Sequence, residues 1–263
     1  MGIAGAAGAT VIGQIIAAIL ALVFNLKCNR ELNISMKGFR PNGHLIVQIY
    51  KVGAPSIVVQ AIGSLMTYGM NLILAAFGSA QTVFGIYFKL QSFVFMPVFG
   101  LNNGMVPIIA YNYGAGHKDR VIKTIKHSVA YGVGIMFVGL LAMHIFPAQL
   151  MRMFDAEESL IAIGAPALET ISLSFVFAGF CIVAGSVFQA LGNGVYSMIV
   201  SVARQMCVLL PVAKLLSLSG EVTLIWWAFP IAELASVLLT SYFLVRIYRK
   251  VICHIGEPVV QDA

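Results

Sequence analysis

Residues 100–120 read GLNNGMVPIIAYNYGAGHKDR and change character halfway along. The first half is apolar around Pro107, and the second half passes through Asn-Tyr-Gly-Ala-Gly to His-Lys-Asp-Arg. Glycine commonly ends a helix because it adopts the left-handed conformation, and a proline removes one helix hydrogen bond and causes a kink. The stretch therefore predicts a long apolar helix, kinked at Pro107, that ends at Gly114 and Gly116 before a basic loop.

The composition indicates that this helix lies in a membrane. Hydrophobic residues make up 60% of the 263 residues and charged residues 10%, whereas an ordinary soluble domain carries about 25% charged residues. Helices pair their own backbone groups in lipid, which open sheets do not, and a helix needs roughly 20 apolar residues to cross hydrocarbon. The sequence predicts an all-α, polytopic transmembrane bundle with about seven spans, at residues 3–26, 45–77, 82–111, 124–146, 160–191, 196–216 and 223–245.

Basic residues are distributed unevenly between alternate loops. Lysine and arginine favour the cytoplasmic side of a membrane, and the loops on one predicted side hold only Arg152 and Lys214. Because basic loops also lie favourably beside anionic headgroups, the net charge of +6 indicates membrane topology rather than nucleic-acid binding. The other side, predicted to be cytoplasmic together with the C-terminus, holds Lys27, Arg30, Lys37, Arg40, Lys51, Lys118, Arg120, Lys123, Lys126, Arg246, Arg249 and Lys250.

The first predicted span has a stripe of small residues. Gly5, Ala9, Gly13, Ala17 and Ala21 recur at intervals of four, a pattern that lets another helix approach closely. An odd number of spans that starts at the first residue predicts that the chain is a piece of a longer protein.

The opening stretch also carries a family resemblance. Its pattern P-x-x-x-x-N-x-G-A-G-x-x-x-R, formed by Pro107, Asn112, Gly114, Gly116 and Arg120, resembles the end of the second helix of the C-terminal lobe in MATE transporters, the multidrug and toxic compound extrusion family. Three further segments resemble family motifs in the expected order: residues 2–14, 52–55 and 188–194.

The resemblance implies a twelve-span protein with two six-helix lobes, of which five spans are missing here. Residues 1–26 would be the last helix of the N-terminal lobe, 27–44 a cytoplasmic linker, 45–250 the C-terminal lobe and 251–263 a cytoplasmic tail. It also implies a plasma-membrane antiporter that exports cationic or lipophilic drugs in exchange for sodium ions or protons. The missing lobe, the bilayer and such drugs would be its partners, and no cofactor is implied.

Two charges share one predicted depth within the spans. Lys89 lies nine residues after Ala80, and Glu169 lies ten residues after Ser159. At 1.5 Å per residue, both lie about 14 Å below the outer surface. Since a charge at such depth marks a functional site or a pair by default, we expect Lys89 and Glu169 to face one another across the C-lobe cavity. A structural ion pair, or a lysine whose stem runs outward to the surface, is the alternative.

A second pair is predicted in the final hairpin. Arg204 lies fifteen residues before Ser219, the centre of the turn, and Glu233 lies fourteen residues after it. Antiparallel neighbours at these positions meet at equal depth, so we expect a structural ion pair. A water-filled groove that solvates each charge separately is the alternative.

The second span offers polar candidates but no acid. Gln60, Tyr68 and Asn71 are candidates for the substrate or ion cavity, and Pro55 predicts a kink near the start of the span. Some branches of the family place a cation-binding glutamate in this helix, so its absence weakens a sodium site there. The coupling acid would then be Glu169 or would belong to the missing lobe.

Other classes of protein fit the sequence less well. The chain lacks H-E-x-x-H, G-x-S-x-G and G-x-x-x-x-G-K motifs, and its cysteines and histidines show no metal-ligand spacing, so neither an enzyme nor a metal site is predicted. A lipid or oligosaccharide flippase of related architecture remains an alternative and predicts a strongly basic cavity. A seven-helix receptor remains open on topology alone.

Overall fold

The structure is a computed structural model that describes residues 2–28, 40 and 42–256. These residues form helices and turns without a strand, which confirms the predicted all-α class. Arg30, Lys37 and the last residues of the predicted tail lie outside this described part. Its α-helices are α1 (Gly2–Cys28), α2 (Gly43–Leu74), α3 (Ala80–Gly114), α4 (Lys118–Ile145), α5 (Pro147–Arg152), α6 (Glu158–Ser172), α7 (Phe175–Ala190), α8 (Gly194–Val202), α9 (Leu210–Ser217), α10 (Val222–Ile225) and α11 (Ala228–Lys250).

Three short segments join or extend these helices. A 3₁₀ turn at Ala75–Phe77 follows α2, and another at Ile252–His254 follows α11. A π-helical segment, Ala203–Leu209, connects α8 to α9 without interrupting the span. Because π-helical turns occur frequently at functional sites, this segment of the sixth predicted span is a candidate position for functional side chains.

The number of spans agrees with the sequence. A seventh span is formed when α6 and α7 are taken together, although a bend of 49° separates them. By length and composition, six further helical segments of the described chain can cross a membrane: Ala7–Cys28, Gly53–Phe77, Ala80–Gly114, Lys118–Ile145, Gly194–Ser217 and Val222–His254.

Serine side chains stabilise the bend between α6 and α7. The hydroxyl of Ser172 donates to the backbone carbonyl of Glu169 at 2.9 Å, and the hydroxyl of Ser174 donates to that of Ile171 at 2.6 Å. Backbone groups without a partner are costly inside a bilayer. At the bend the two hydroxyls thus add hydrogen bonds to carbonyls of the last turn of α6, and the carbonyl of Ile171 also accepts from the backbone N–H of Ser174 at 3.0 Å.

The chain divides into two compact units, Met1–Gln48 and Ile49–Ala263. In the first unit, no residue of the apolar window of α1 is buried. In the second unit, α3, α4 and α7 pack together around a core that includes Val98, Met136 and Val183. The second unit holds the cavity described below.

Glycines bring α4 and α7 into close contact. A Cβ atom on Gly179 would lie 2.9 Å from the Met136 side chain and 3.0 Å from the backbone oxygen of Gly132. A Cβ atom on Gly132 would lie 2.7 Å from Val183. Since such distances are too short for carbon atoms in contact, the two helices approach this closely only because both positions are glycine.

The end of α3 follows the prediction from the opening stretch. The helix ends at Gly114, and Gly116 has a φ of 72°, the left-handed conformation that favours glycine. The carbonyl of Asn112 accepts a hydrogen bond of 2.9 Å from the backbone N–H of His117, which closes the turn. Arg120 is exposed in the first turns of α4.

Prolines lie inside several spans, among them α2 and α3. Pro55 is within α2, whereas Pro107 is within α3 together with Pro97. Both helices continue through these prolines, so none of them ends its span. The kinks expected at Pro55 and Pro107 remain predictions.

Candidate functional site

The second unit encloses a cavity of about 980 Å³ between its helices. Side chains from α2, α3, α7, α8, the π-helical segment and α11 line it. Ligand-binding pockets in proteins typically measure roughly 300 to 1,000 Å³. The cavity is therefore large enough for a drug-sized molecule.

Aromatic rings form one wall of the cavity. Tyr87 lies with its ring centroid 5.8 Å from those of both Phe88 and Phe229, in edge-on arrangements. Phe95 and Phe99 continue the same wall along α3, with their centroids 6.4 Å apart. Faces of aromatic rings attract cations and apolar groups alike, so this wall suits flat aromatic or cationic ligands.

Side-chain amides form a second feature of the lining. Six amides belong to the lining, and none of them forms a side-chain hydrogen bond in the described chain, although amides have both donors and acceptors to satisfy. They therefore remain available to water or to a ligand. These amides are Gln60, Gln91, Asn102, Asn103, Gln189 and Gln205.

Among the described residues, the charged side chains of the cavity lining are those of a single ion pair. Arg204, in the π-helical segment, donates a hydrogen bond from Nη1 to Oε1 of Glu233 on α11. The side chain of Glu233 is 8% exposed and that of Arg204 is 28% exposed. The pair leaves the cavity with no net formal charge, and the guanidinium is the more accessible of the two groups.

Several oxygen atoms around the cavity are buried without a hydrogen-bond partner. They are Oε2 of Glu233, Oδ1 of Asn102 and Oγ1 of Thr240. Nearby, the hydroxyl of Ser236 lies 3.4 Å from Sγ of Cys181. Buried polar atoms without partners are rare in proteins, so this wall has more hydrogen-bonding capacity than the protein itself uses.

The three candidate residues on the second span differ in their position relative to the cavity. Gln60 lines the cavity. Tyr68 is 65% exposed and lies away from the lining. Asn71 also lies outside the lining, and its amide donates to the backbone carbonyl of Thr67 at 2.9 Å.

The predicted contact between Lys89 and Glu169 is not formed. The Lys89 side chain is exposed, and its ammonium lies 5.6 Å from the centroid of the Phe154 ring. Glu169 is half-buried on α6, and neither residue lines the cavity. The two residues can share one depth in the membrane and still lie on helix faces that point in different directions. Lys89 lies about 100° around α3 from Phe88, which faces the cavity.

Arg204 and Glu233 do come together, at the equal depth that their spacing around the final turn predicts. Their spacing predicts a structural ion pair but does not predict that the pair lies on the cavity wall. The sequence does contain a pattern that indicates the cavity wall. Glu233, Ser236 and Thr240 are spaced by three and four residues, so these polar residues share one face of α11. The amides Gln91 and Gln205 were also missed, and no motif marks either of them.

The helices and the cavity together define the class of protein: a multi-pass membrane protein whose second unit contains a cavity with a polar and aromatic lining. The family model MatE matches residues 55–215. The chain belongs to the MatE family of transporters, and this confirms the resemblance in its motifs.

Individual relatives agree with this assignment. The chain is 27% identical to the multidrug export protein MepA of Staphylococcus aureus (strain MSSA476) over 89% of its own length and 51% of the relative's. It is 25% identical to MepA of Staphylococcus haemolyticus (strain JCSC1435) over 94% of its own length and 55% of that protein's. The chain thus spans about half the length of the curated relatives it matches.

Solved structures share the fold. The MATE multidrug transporter DinF-BH is 33% identical, with a TM-score of 0.82 over 94% of this chain and 56% of that one. A MOP superfamily transporter from Pyrococcus furiosus has a TM-score of 0.85 over 98% of this chain and 58% of that one. At 19% identity, the second likeness concerns the fold alone.

Proposed function

We propose that the protein is a secondary antiporter of the cell membrane that exports cationic or lipophilic drugs in exchange for sodium ions or protons. The names of the MepA relatives and of DinF-BH support drug export. The single observation that carries the proposal is the cavity of about 980 Å³, in which aromatic rings lie beside amides without hydrogen bonds. Such a lining can accommodate ligands of varied shape.

The charge of the cavity favours drug export over the flippase alternative. A flippase that carries a phosphate-linked lipid or oligosaccharide would need a strongly basic cavity. In the described lining, Arg204 is the sole basic residue, and Glu233 neutralises it. We therefore retain drug export as the function.

In this proposal, a carboxylate binds the coupling sodium ion or proton. Glu233 is held by Arg204, and the described part of α2 contains no acid. We place the coupling carboxylate at Glu169 or in an N-terminal lobe of the kind implied by the family resemblance. Residues 1–26 would then be the last helix of that lobe, 27–44 the linker and 45–250 the C-terminal lobe, with the basic loops and the tail in the cytoplasm.

Dye release from intact cells tests the proposal. Cells that express the protein and are loaded with rhodamine 6G should release it faster than cells with an empty vector. Collapsing the sodium gradient and the proton gradient one at a time should identify the coupling ion, because release stops when the driving ion is removed. Release that continues after both gradients are collapsed would contradict antiport, and release no faster than in the vector control would contradict export.

A further inference from the structure

The ion pair of the cavity leaves most of its hydrogen-bonding capacity unused. A guanidinium has five N–H donors in a planar fork. Arg204 uses one nitrogen, Nη1, to bind Glu233, and its side chain forms no other hydrogen bond with the described residues. Arg204 belongs to the cavity lining and its side chain is 28% exposed, so a planar oxyanion in the cavity has donors of this guanidinium to bind.

The carboxylate partner restricts which ligand can use those donors. Glu233 is in direct contact with the guanidinium, and its Oε2 is buried without a partner in the described chain. A ligand that carries only negative charge would be repelled by this carboxylate. A ligand that carries only positive charge would be repelled by Arg204 and would add an uncompensated charge to a cavity whose own charges cancel.

A ligand with both charges avoids each of these penalties. Its carboxylate can bind the free edge of Arg204, while its cationic part lies near Glu233 and over the aromatic wall. The charges then alternate, and the occupied cavity stays neutral. Phe88, Phe95 and Phe99, which are the more accessible rings of the lining, supply ring faces for a flat cation.

We propose that this cavity selects amphoteric ligands, in which a flat aromatic cation carries a carboxylate, and that Arg204 is the residue that recognises the carboxylate. The inference rests on the proposed function, because it names the preferred substrate class of the same cavity. It assigns Arg204 and Glu233 a role in specificity in addition to the structural role that the sequence predicts.

Matched dyes test the selection by direct binding. Rhodamine 6G is an ethyl ester with a net positive charge, hydrolysis of the ester gives a zwitterion with the same ring system, and fluorescein is an anion of similar shape. Fluorescence anisotropy with the purified full chain in lipid nanodiscs gives a dissociation constant for each dye. The free acid should bind about tenfold more tightly than the ester, as expected for a hydrogen bond to a charged group, and fluorescein should bind most weakly.

Two variants separate recognition from folding and from lipid partitioning. Arg204→Gln combined with Glu233→Gln keeps the cavity neutral, and it should bind the acid and the ester equally. Arg204→Lys keeps the charge but loses the planar fork, so it should show a smaller preference for the acid. If the double variant does not fold, Arg204→Lys alone decides the test.

The outcomes distinguish this inference from the proposed function. Equal binding of acid and ester by the unaltered chain, tight binding of fluorescein, or an undiminished preference in a folded variant would each overturn the selection, as would binding of none of the dyes. A preference for the acid without dye release from cells would support the site and contradict export.

Discussion

The side-chain ammonium of Lys118 donates a hydrogen bond of 2.7 Å to the backbone carbonyl of Cys253. This bond joins the first residue of α4 to the turn that follows α11. Next to this bond, the backbones of Gly116 and Gly256 approach closely: a Cβ atom on Gly256 would lie 3.0 Å from the backbone oxygen of Gly116. The glycine turn of the family motif therefore packs against the segment that follows the last span.

Removing the Lys118 side chain should loosen that segment. In Lys118→Ala, we expect hydrogen exchange in residues 251–256 to be roughly fivefold faster, because a hydrogen bond worth about 1 kcal/mol is lost. Exchange measured by mass spectrometry on the protein in detergent checks this. Lys123→Ala is the control, since Lys123 is exposed on the same helix, and equal effects of the two substitutions would contradict the role of the bond.

Adding a methyl group at Gly179 should separate α4 from α7. Gly179→Ala places a Cβ atom 2.9 Å from Met136 and 3.0 Å from the backbone oxygen of Gly132. We expect a loss of about 1 to 3 kcal/mol in the free energy of unfolding, visible as a fall of several degrees in the melting temperature.

The matched control for that substitution is Gly134→Ala. Gly134 lies on α4 with nothing within 4 Å of an added Cβ atom. Because alanine favours the helix over glycine, this variant should be neutral or slightly more stable. A melting temperature that falls equally for both variants would show that helix packing is not the cause.

Breaking the buried ion pair should destabilise the protein more than removing both charges. Arg204→Gln strands Glu233, whose side chain is 8% exposed, at a cost of about 3 to 5 kcal/mol. The double variant with Glu233→Gln should recover much of this loss, as a double-mutant cycle on melting in detergent would measure.

The surface pair Arg152 and Glu158 provides the comparison. Its nitrogen and oxygen atoms are 3.0 Å apart, with side chains 60% and 80% exposed. Exposed pairs contribute about 0 to 1 kcal/mol, so Arg152→Gln should change the melting temperature little. A stability loss as large as that of Arg204→Gln would contradict the assignment of the stronger pair to the cavity.

Substitutions of Lys89 and Glu169 should act independently. The two side chains make no contact, since Lys89 lies beside Phe154, and effects at separate sites usually add to within about 0.5 kcal/mol. The free energies of unfolding of Lys89→Ala, Glu169→Ala and the double variant should therefore add. A coupling free energy above roughly 1 kcal/mol would indicate that the two side chains do interact, as their equal depth predicted.

The apolar runs predicted the spans because the hydrocarbon core of a bilayer has a roughly fixed thickness, which sets the length of a helix that crosses it. Depth reasoning succeeded for Arg204 and Glu233, since a short turn fixes which positions of two neighbouring spans meet. It failed for Lys89 and Glu169 because they lie on spans that are not consecutive. Their rotation depends on packing that the order of residues does not reveal.

Local departures from the regular helix were also beyond prediction. The sequence predicts one span over residues 160–191, yet the chain bends near Ser172 and Ser174, whose hydroxyls bond to backbone carbonyls. The π-helical segment at Ala203–Leu209 likewise leaves no signature in an apolar run. Both features depend on local hydrogen bonding, which hydropathy does not report.

The bend between α6 and α7 has a mechanical consequence. A straight rod across the membrane can only tilt as a whole, whereas two rods with a joint at mid-depth can reorient separately. The serines at the joint donate hydrogen bonds to two backbone carbonyls, so these polar atoms have partners within the chain, as a lipid environment requires. A change of angle at this joint would displace α7, which lines the cavity, relative to α6, which contributes no residue to the lining.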